Sequence, residues 1–249
     1  MPPLPILTPE QRAAIERRAR EREAHRARRL ADVQRDLERH TMAGLPYRYA
    51  AWTLAAYPAI ASAVRGWLAD PSSWSLYLWG PTRSRKTSAA CAVLRELRVP
   101  ILRQWIERAE TWIREEKPGV PPRPAIGEFI GPYELAATVR DVTSDAARAR
   151  LDEWGEMPLL LLDDLGKYRD TPHLVEQTLL LLHKRYDRHD CARTRTIITS
   201  NMPLEELSWR VDPATACRVA EGLVLELCPP PPPPIEQREA DGPTPVQRS

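Results

Sequence analysis

The hydrophobic pattern of this 249-residue chain alternates between two periods. Leu76-Tyr-Leu-Trp79 and Leu159-Leu-Leu-Leu162 are apolar at every position, and Thr196-Ile-Ile-Thr199 is β-branched throughout. Short runs of this kind suit strands covered on both faces, as in a parallel sheet, where neither face is left to solvent. Between them, Lys86 to Leu97 and Pro172 to Arg188 carry apolar residues at helical spacing. The alternation predicts an α/β fold with strands at Leu76–Trp79, Leu159–Asp163 and Thr196–Ser200 in a parallel sheet flanked by helices. The stretch between the first helix and the second long strand is less regular. Arg98 to Arg103 and Glu128 to Gly131 both read as short strands, separated by a loop from Pro118 to Pro124. Ile101 to Lys117 reads as an insertion with a helix of its own, in which Trp105 and Trp112, seven apart, suit core packing more than base-stacking platforms.

Outside this region the pattern changes twice. Residues 8–40 are laced with charge and hold no glycine and no proline after Pro9. Thr8 is placed to cap and Pro9 to fill the first turn, so a long exposed helix is predicted. Arg17-Arg18-Ala-Arg20 and Arg26-Ala-Arg28-Arg29 make it locally basic, which suits a solvated helical face as well as a docking site for a partner or a DNA backbone. At the other end, six prolines from Pro229 to Pro234 precede a polar terminus, predicting polyproline II followed by disorder. Three regions follow: a basic helical extension over 1–42, an α/β core over 43–228 and a proline-rich tail over 229–249.

The first long strand runs into Gly80-Pro81-Thr82-Arg83-Ser84-Arg85-Lys86-Thr87. This is the phosphate-loop pattern G-x-x-x-x-G-K-[ST] with Arg85 in place of the second glycine. Gly80 permits a sharp turn off the strand. The backbone N–H groups up to Lys86, apart from Pro81, which has none, would wrap anionic phosphates at a helix N-terminus. Lys86 would hold the β and γ phosphates, and Thr87 would offer its hydroxyl to Mg²⁺. A glycine normally precedes the lysine so that backbone can approach phosphate closely, and the Cβ of Arg85 opposes that at about 1–3 kcal/mol if the dihedrals are unusual. Its guanidinium can pair with phosphate oxygens in partial compensation. Weakened nucleotide binding is the expectation. A basic turn between strand and helix is the plainer reading of the same residues.

The second long strand ends in Asp163-Asp164-Leu-Gly166, which places two carboxylates at the carboxyl end of a strand, where open α/β sheets bind ligands. Asp163 would hold the metal and Asp164 would polarise an attacking water. A turn after a buried strand is the alternative. The third strand ends at Asn201, placed either to reach the water or the γ phosphate or to cap the helix beginning at Pro203-Leu-Glu-Glu-Leu207. The ammonium and the acids are expected on strand tips lying side by side.

Gly80 to Thr87, Leu159 to Gly166, Leu182-His-Lys-Arg-Tyr186, Thr196 to Leu207 and Asp212 to Gly222 together resemble the ATPase core of DnaC/IstB-type AAA+ proteins, a family of replicative helicase loaders and transposition helper ATPases. The resemblance spans roughly Ala43 to Leu227 and includes Ala43-Gly-Leu-Pro46-Tyr47-Arg-Tyr49, similar to the family segment that lies near the adenine. It implies ATP and Mg²⁺ as ligands, with Lys86 and Thr87 on ATP, Asp163 and Asp164 on metal and water, and Asn201 as a sensor. Arg218 matches the arginine that reaches a neighbouring subunit's γ phosphate, so hydrolysis would depend on assembly into a homo-oligomer on ATP or DNA. It further implies a replicative helicase or a transposase as partner, with single-stranded DNA, and partner binding by the N-terminal extension. Besides Arg85, Cys217 stands where a serine is usual and Ala214 where many relatives carry another arginine. With the proline run starting at Pro229, the full helical lid that many AAA+ proteins have is not expected.

Composition narrows the alternatives. Net charge is +2, which does not by itself demand nucleic acid, and no run of about 18 apolar residues exists for a membrane span. The proline-rich start lacks the basic and apolar regions of a secretion signal, so the cytoplasm is expected. Cys91, Cys191, Cys217 and Cys228 show no metal-ligand spacing and read as incidental thiols. Of 36 basic residues only 4 are lysine, one of them Lys86, whose compact ammonium arginine does not imitate. The function read from the chain is ATP-dependent loading of a replicative helicase. The competing readings are a transposition helper, a nucleotide-deficient adaptor built on the Arg85 substitution, and a small-molecule kinase, which does not explain the Asn201 and Arg218 segments.

Overall fold

The computed structural model describes residues 8–42, 44–49, 52–119, 122, 124–141, 143–166, 171–192, 194–210 and 212–228. The proline run and tail from 229 onward lie outside the described residues, as does the Cys191 side chain. Five parallel strands form one sheet: β1 (Ser75–Trp79), β2 (Glu128–Ile130), β3 (Leu159–Leu165), β4 (Arg195–Ser200) and β5 (Leu223–Glu226), in the order β2-β3-β4-β1-β5. Alternate residues of the apolar runs feed the two faces. Leu76, Leu78, Leu159, Leu161 and Ile197 pack under α2 (Pro58–Ala69) and the first half of α3 (Lys86–Arg114). Tyr77, Leu160, Leu162 and Ile198 pack on the opposite face, under α4 (Pro132–Arg140), α5 (Asp145–Glu156), α6 (Pro172–Ala192), α7 (Leu204–Arg210) and α8 (Pro213–Ala220). Both faces are covered, which is why these strands carry no polar alternation.

Three sequence expectations differ from the structure. The phosphate-loop strand and the acidic strand are not neighbours, because β4 lies between them and pairs with both. Arg98 to Arg103 is not a strand, and Ile101 to Lys117 is not an insertion with a separate helix: the first segment, and the second as far as Arg114, belong to α3, which continues past Leu97 with Pro100 inside it. The reason is the buried stripe Leu94, Arg98, Leu102, Trp105, Ala109 and Ile113, which recurs every three or four residues and keeps one helical face against the protein. Burial along that stripe outweighs the roughly 3 kcal/mol that an interior proline removes from a helix. Arg98 joins the stripe because its guanidinium donates to the carbonyls of Ile126 and Gly127, at 3.3 and 2.8 Å, just ahead of β2.

The long N-terminal helix, α1 (Pro9–Met42), is capped as its sequence suggests: Thr8 Oγ1 accepts from the Gln11 N–H, and the Thr8 N–H donates to Gln11 Oε1. Its later half lies antiparallel along the end of α3. Val33 packs with Trp105, Ala109 and Ile113, Arg26 pairs with Glu116 at 2.6 Å, and Arg29 donates to the Lys117 carbonyl. No residue from 9 to 25 is buried. Among the described residues no helix is long and apolar enough to cross a membrane.

Candidate nucleotide site

The loop between β1 and α3 closes around the Lys86 side chain. Gly80 sits at φ 150°, and a Cβ there would lie 2.2 Å from the Leu227 carbonyl oxygen, so the turn admits no side chain. Lys86 is 5% exposed, and its Nζ donates to the carbonyls of Gly80 and Pro81, at 2.7 and 2.9 Å, and to Ser84 Oγ at 3.3 Å. The ammonium thus staples both ends of the loop, while the first N–H groups of α3 are left for an acceptor outside the helix. Arg83 and Arg85 both take the left-handed conformation, at φ 71° and 64°. Position 85, where the pattern calls for glycine, has the backbone that glycine prefers; an arginine there costs roughly 1–2 kcal/mol.

Thr199 at the tip of β4 links the loop to the acids. Its hydroxyl donates to Asp163 Oδ1 at 2.7 Å, and Thr87 Oγ1 donates to the same oxygen at 2.8 Å. Opposite Thr199 the β3–β4 register slips by one residue, so Asp163 and Asp164 together face it; Asp164 adopts φ 56° and its N–H donates to Thr199 Oγ1 at 2.8 Å. This bulge breaks the strict in-out alternation of the strand, which would otherwise send the two carboxylates to opposite faces. Gly166, at φ 81°, completes the turn against Met202.

Around this junction lies a cleft of about 440 Å³ lined by Arg48, Tyr49 and Trp52 on one wall, Thr82, Arg83, Arg85, Lys86, Thr87 and Ser88 on the loop, and Asp164 and Asn201 opposite. The volume falls within the range of small-ligand sites. The Arg85 guanidinium leans over the Trp52 ring, 5.4 Å from its centroid, and Arg48 lies 4.6 Å over Tyr49. Arg85 therefore lines the cleft without plugging it. Burial raises the Tyr49 phenol above its usual value against the pull of Arg48, with Asp163 and Asp164 adding to the rise. Below the loop, burial pushes the Cys91 thiol up to about 12.

The structure brings Thr82 to Thr87, Asp163, Asp164 and Asn201 to one end of the sheet. It does not bring Arg218 there. That residue, in α8, stacks its guanidinium 5.1 Å over Tyr186, and its carbonyl accepts from Trp74 Nε1 at the opposite end of β1. Two contributors escape sequence reasoning. Trp52 follows the segment read for its resemblance, and only its aromatic character marks it. Thr199 hides as one more β-branched strand residue, although a threonine that is 0% exposed at a strand tip must find a partner.

No protein-family model matches the chain, and no curated protein matches it. Among solved structures it is similar to a DNA replication initiation factor (14% identity, TM-score 0.52, 71% of this chain against 49% of that one). It is also similar to the DnaC helicase loader (21%, 0.52, 74% against 100%) and to DnaA from Aquifex aeolicus with bound AMPPCP (15%, 0.50, 74% against 51%). The chain spans about half the length of the first and third. At these identities the likeness is one of fold: a five-stranded parallel sheet flanked by helices is the architecture this chain shares with the DnaC helicase loader and with DnaA.

Proposed function

We propose that this chain is an AAA+ ATPase of the helicase-loader type, acting in the cytoplasm in DNA replication. The observation that carries the reading is the junction of Thr87, Asp163 and Thr199, which ties a phosphate-type loop to a pair of strand-end carboxylates at the mouth of a ligand-sized cleft. Lys86 and the N–H groups at the start of α3 hold the ATP phosphates, and the wall of Tyr49 and Trp52 receives the base. Thr87 Oγ1 and Asp163 Oδ1 already converge, and a hydroxyl beside a carboxylate is the hard oxygen set that Mg²⁺ prefers, so these two residues hold the metal. When bound, Mg²⁺ neutralises phosphate charge. Asp164, held out by the bulge, orients and polarises the attacking water as general base, and Asn201 positions it from the neighbouring strand tip. Arg218 faces away from its own cleft, which suits a group that completes a neighbouring copy's site in a homo-oligomer.

In this reading residues 43–228 are the ATPase core, 1–42 the arm that engages a replicative helicase, and 229–249 a tail; the assembly acts on single-stranded DNA. Arg85 favours a second reading, a nucleotide-deficient adaptor, and a transposition helper ATPase shares the same core. Titration of ATP and steady-state hydrolysis with and without single-stranded DNA test the first point: binding lost in Lys86→Ala, and turnover lost with binding kept in Asp164→Asn, support it. No binding in the native chain supports the adaptor. Capture of the host helicase, and not a transposase, by the full chain but not by a chain lacking residues 1–42 supports the loader.

A further inference from the structure

The geometry points to Arg85 as a specificity-determining residue that makes this cleft discriminate nucleotides by their number of phosphates. The inference rests on the proposed nucleotide reading of the site and concerns the one position where the phosphate-loop pattern is broken. Three guanidinium groups line the cleft: Arg48, Arg83 and Arg85. Among the described residues none of the three forms an ion pair; Arg48 and Arg85 rest on the faces of Tyr49 and Trp52. The cleft thus holds three guanidinium groups beside Lys86 and, in its lining, the single carboxylate of Asp164.

The backbone explains what the Arg85 cation replaces. Arg85 caps α3 at φ 64°, ψ 25°, the conformation in which glycine lets phosphate settle against the chain. Its Cβ takes up that space, so part of the recognition passes from a neutral N–H at short range to a mobile cation at longer range. A guanidinium held by a ring face exchanges readily for a phosphate, because charge-assisted, bidentate bonds to an anion outweigh a cation–π contact. N–H contacts respond mainly to the shape of the phosphates. A cation responds to their charge, which grows with each phosphate added. The ligand class that fits is a nucleoside polyphosphate, with the triphosphate preferred over the diphosphate through Arg85.

The test separates the charge of Arg85 from its backbone effect. Affinities for ATP, ADP and AMP are measured by calorimetry on the full-length chain and on Arg85→Lys, Arg85→Gln and Arg85→Gly, with melting temperature as a check of folding. The ratio of ADP to ATP dissociation constants should fall about tenfold in the Gln and Gly variants, the scale of one charge-assisted bond, and stay within about threefold of native in the Lys variant. A ratio in Arg85→Gln equal to the native one overturns the inference while leaving nucleotide binding intact. So does a native chain that binds nothing beside an Arg85→Gly variant that binds, since Arg85 is then only an obstruction. Failure of all four chains to bind any nucleotide removes the underlying ATP reading as well.

Discussion

Replacing Thr199 by valine, which keeps the shape and removes the hydroxyl, is the sharpest probe of how the site is held together. Thr199 is 0% exposed, donates to Asp163 Oδ1 at 2.7 Å and accepts from the Asp164 N–H at 2.8 Å. The first bond ends on a carboxylate and is worth about 1.5–3 kcal/mol. The second is worth about 1 kcal/mol, and the strained N–H at position 164 is then left without its acceptor. Loss of both should destabilise the chain by about 2–4 kcal/mol. For a domain of this size that lowers the melting temperature by roughly 4–16 °C. Thr199→Ser, which keeps the hydroxyl, should lose less than about 1.5 kcal/mol. The assay is urea unfolding followed by far-UV circular dichroism, with the slope unchanged and the midpoint shifted. A Thr199→Val midpoint indistinguishable from native, or a Ser variant as weak as the Val variant, would refute the claim that this hydroxyl ties the strand tips.

Gly80→Ala should cost about 2–4 kcal/mol and open the loop, because its Cβ meets the backbone oxygen of Leu227 at 2.2 Å; thermal unfolding checks it. Cys217 and Cys228 are exposed and should react with an aromatic disulfide reagent at pH 8, whereas Cys91, buried and pushed up to about 12, should react only on unfolding, as peptide mapping will show. Deleting residues 1–25 should shift stability by no more than about 0.5 kcal/mol, because that part of α1 buries no residue, while deleting 1–42 uncovers Trp105, Ala109 and Ile113 and should lower it measurably. Asp212→Ala removes the N-cap of α8, whose side chain accepts from the Thr215 N–H at 2.7 Å, and should cost about 1 kcal/mol. That bond holds the carboxyl below its usual 3.8, so the contribution is complete above that pH and disappears as acid protonates the folded state below it.

The sheet was legible because its strands are buried on both faces, which leaves an unmistakable apolar run, and because Gly80, Lys86 and the paired acids mark the strand ends. What escaped detection was set by tertiary contacts. The segment from Arg98 to Arg103 looks extended, since Val99 and Ile101 alternate around a proline. Only the surface beneath α3 makes Leu94, Arg98, Leu102 and Trp105 one stripe. Likewise, nothing in the spacing of motifs reveals that β4 separates the loop strand from the acidic strand, since strand order follows from how crossovers stack. Thr199 acquired its place from that order. The bulge at Asp163 and Asp164 was equally silent, because no glycine announces it.

The uninterrupted α3 has a mechanical consequence. Its 29 residues form a rod about 44 Å long, with Lys86 at one end and the contact with α1 near the other. A tilt of roughly 5° at the phosphate end sweeps the far end through about 4 Å. Pro100, which contributes no N–H to the ladder, marks where such a lever flexes most easily. A displacement at the phosphate loop would therefore be carried toward the α1 contact, less whatever bend Pro100 takes up.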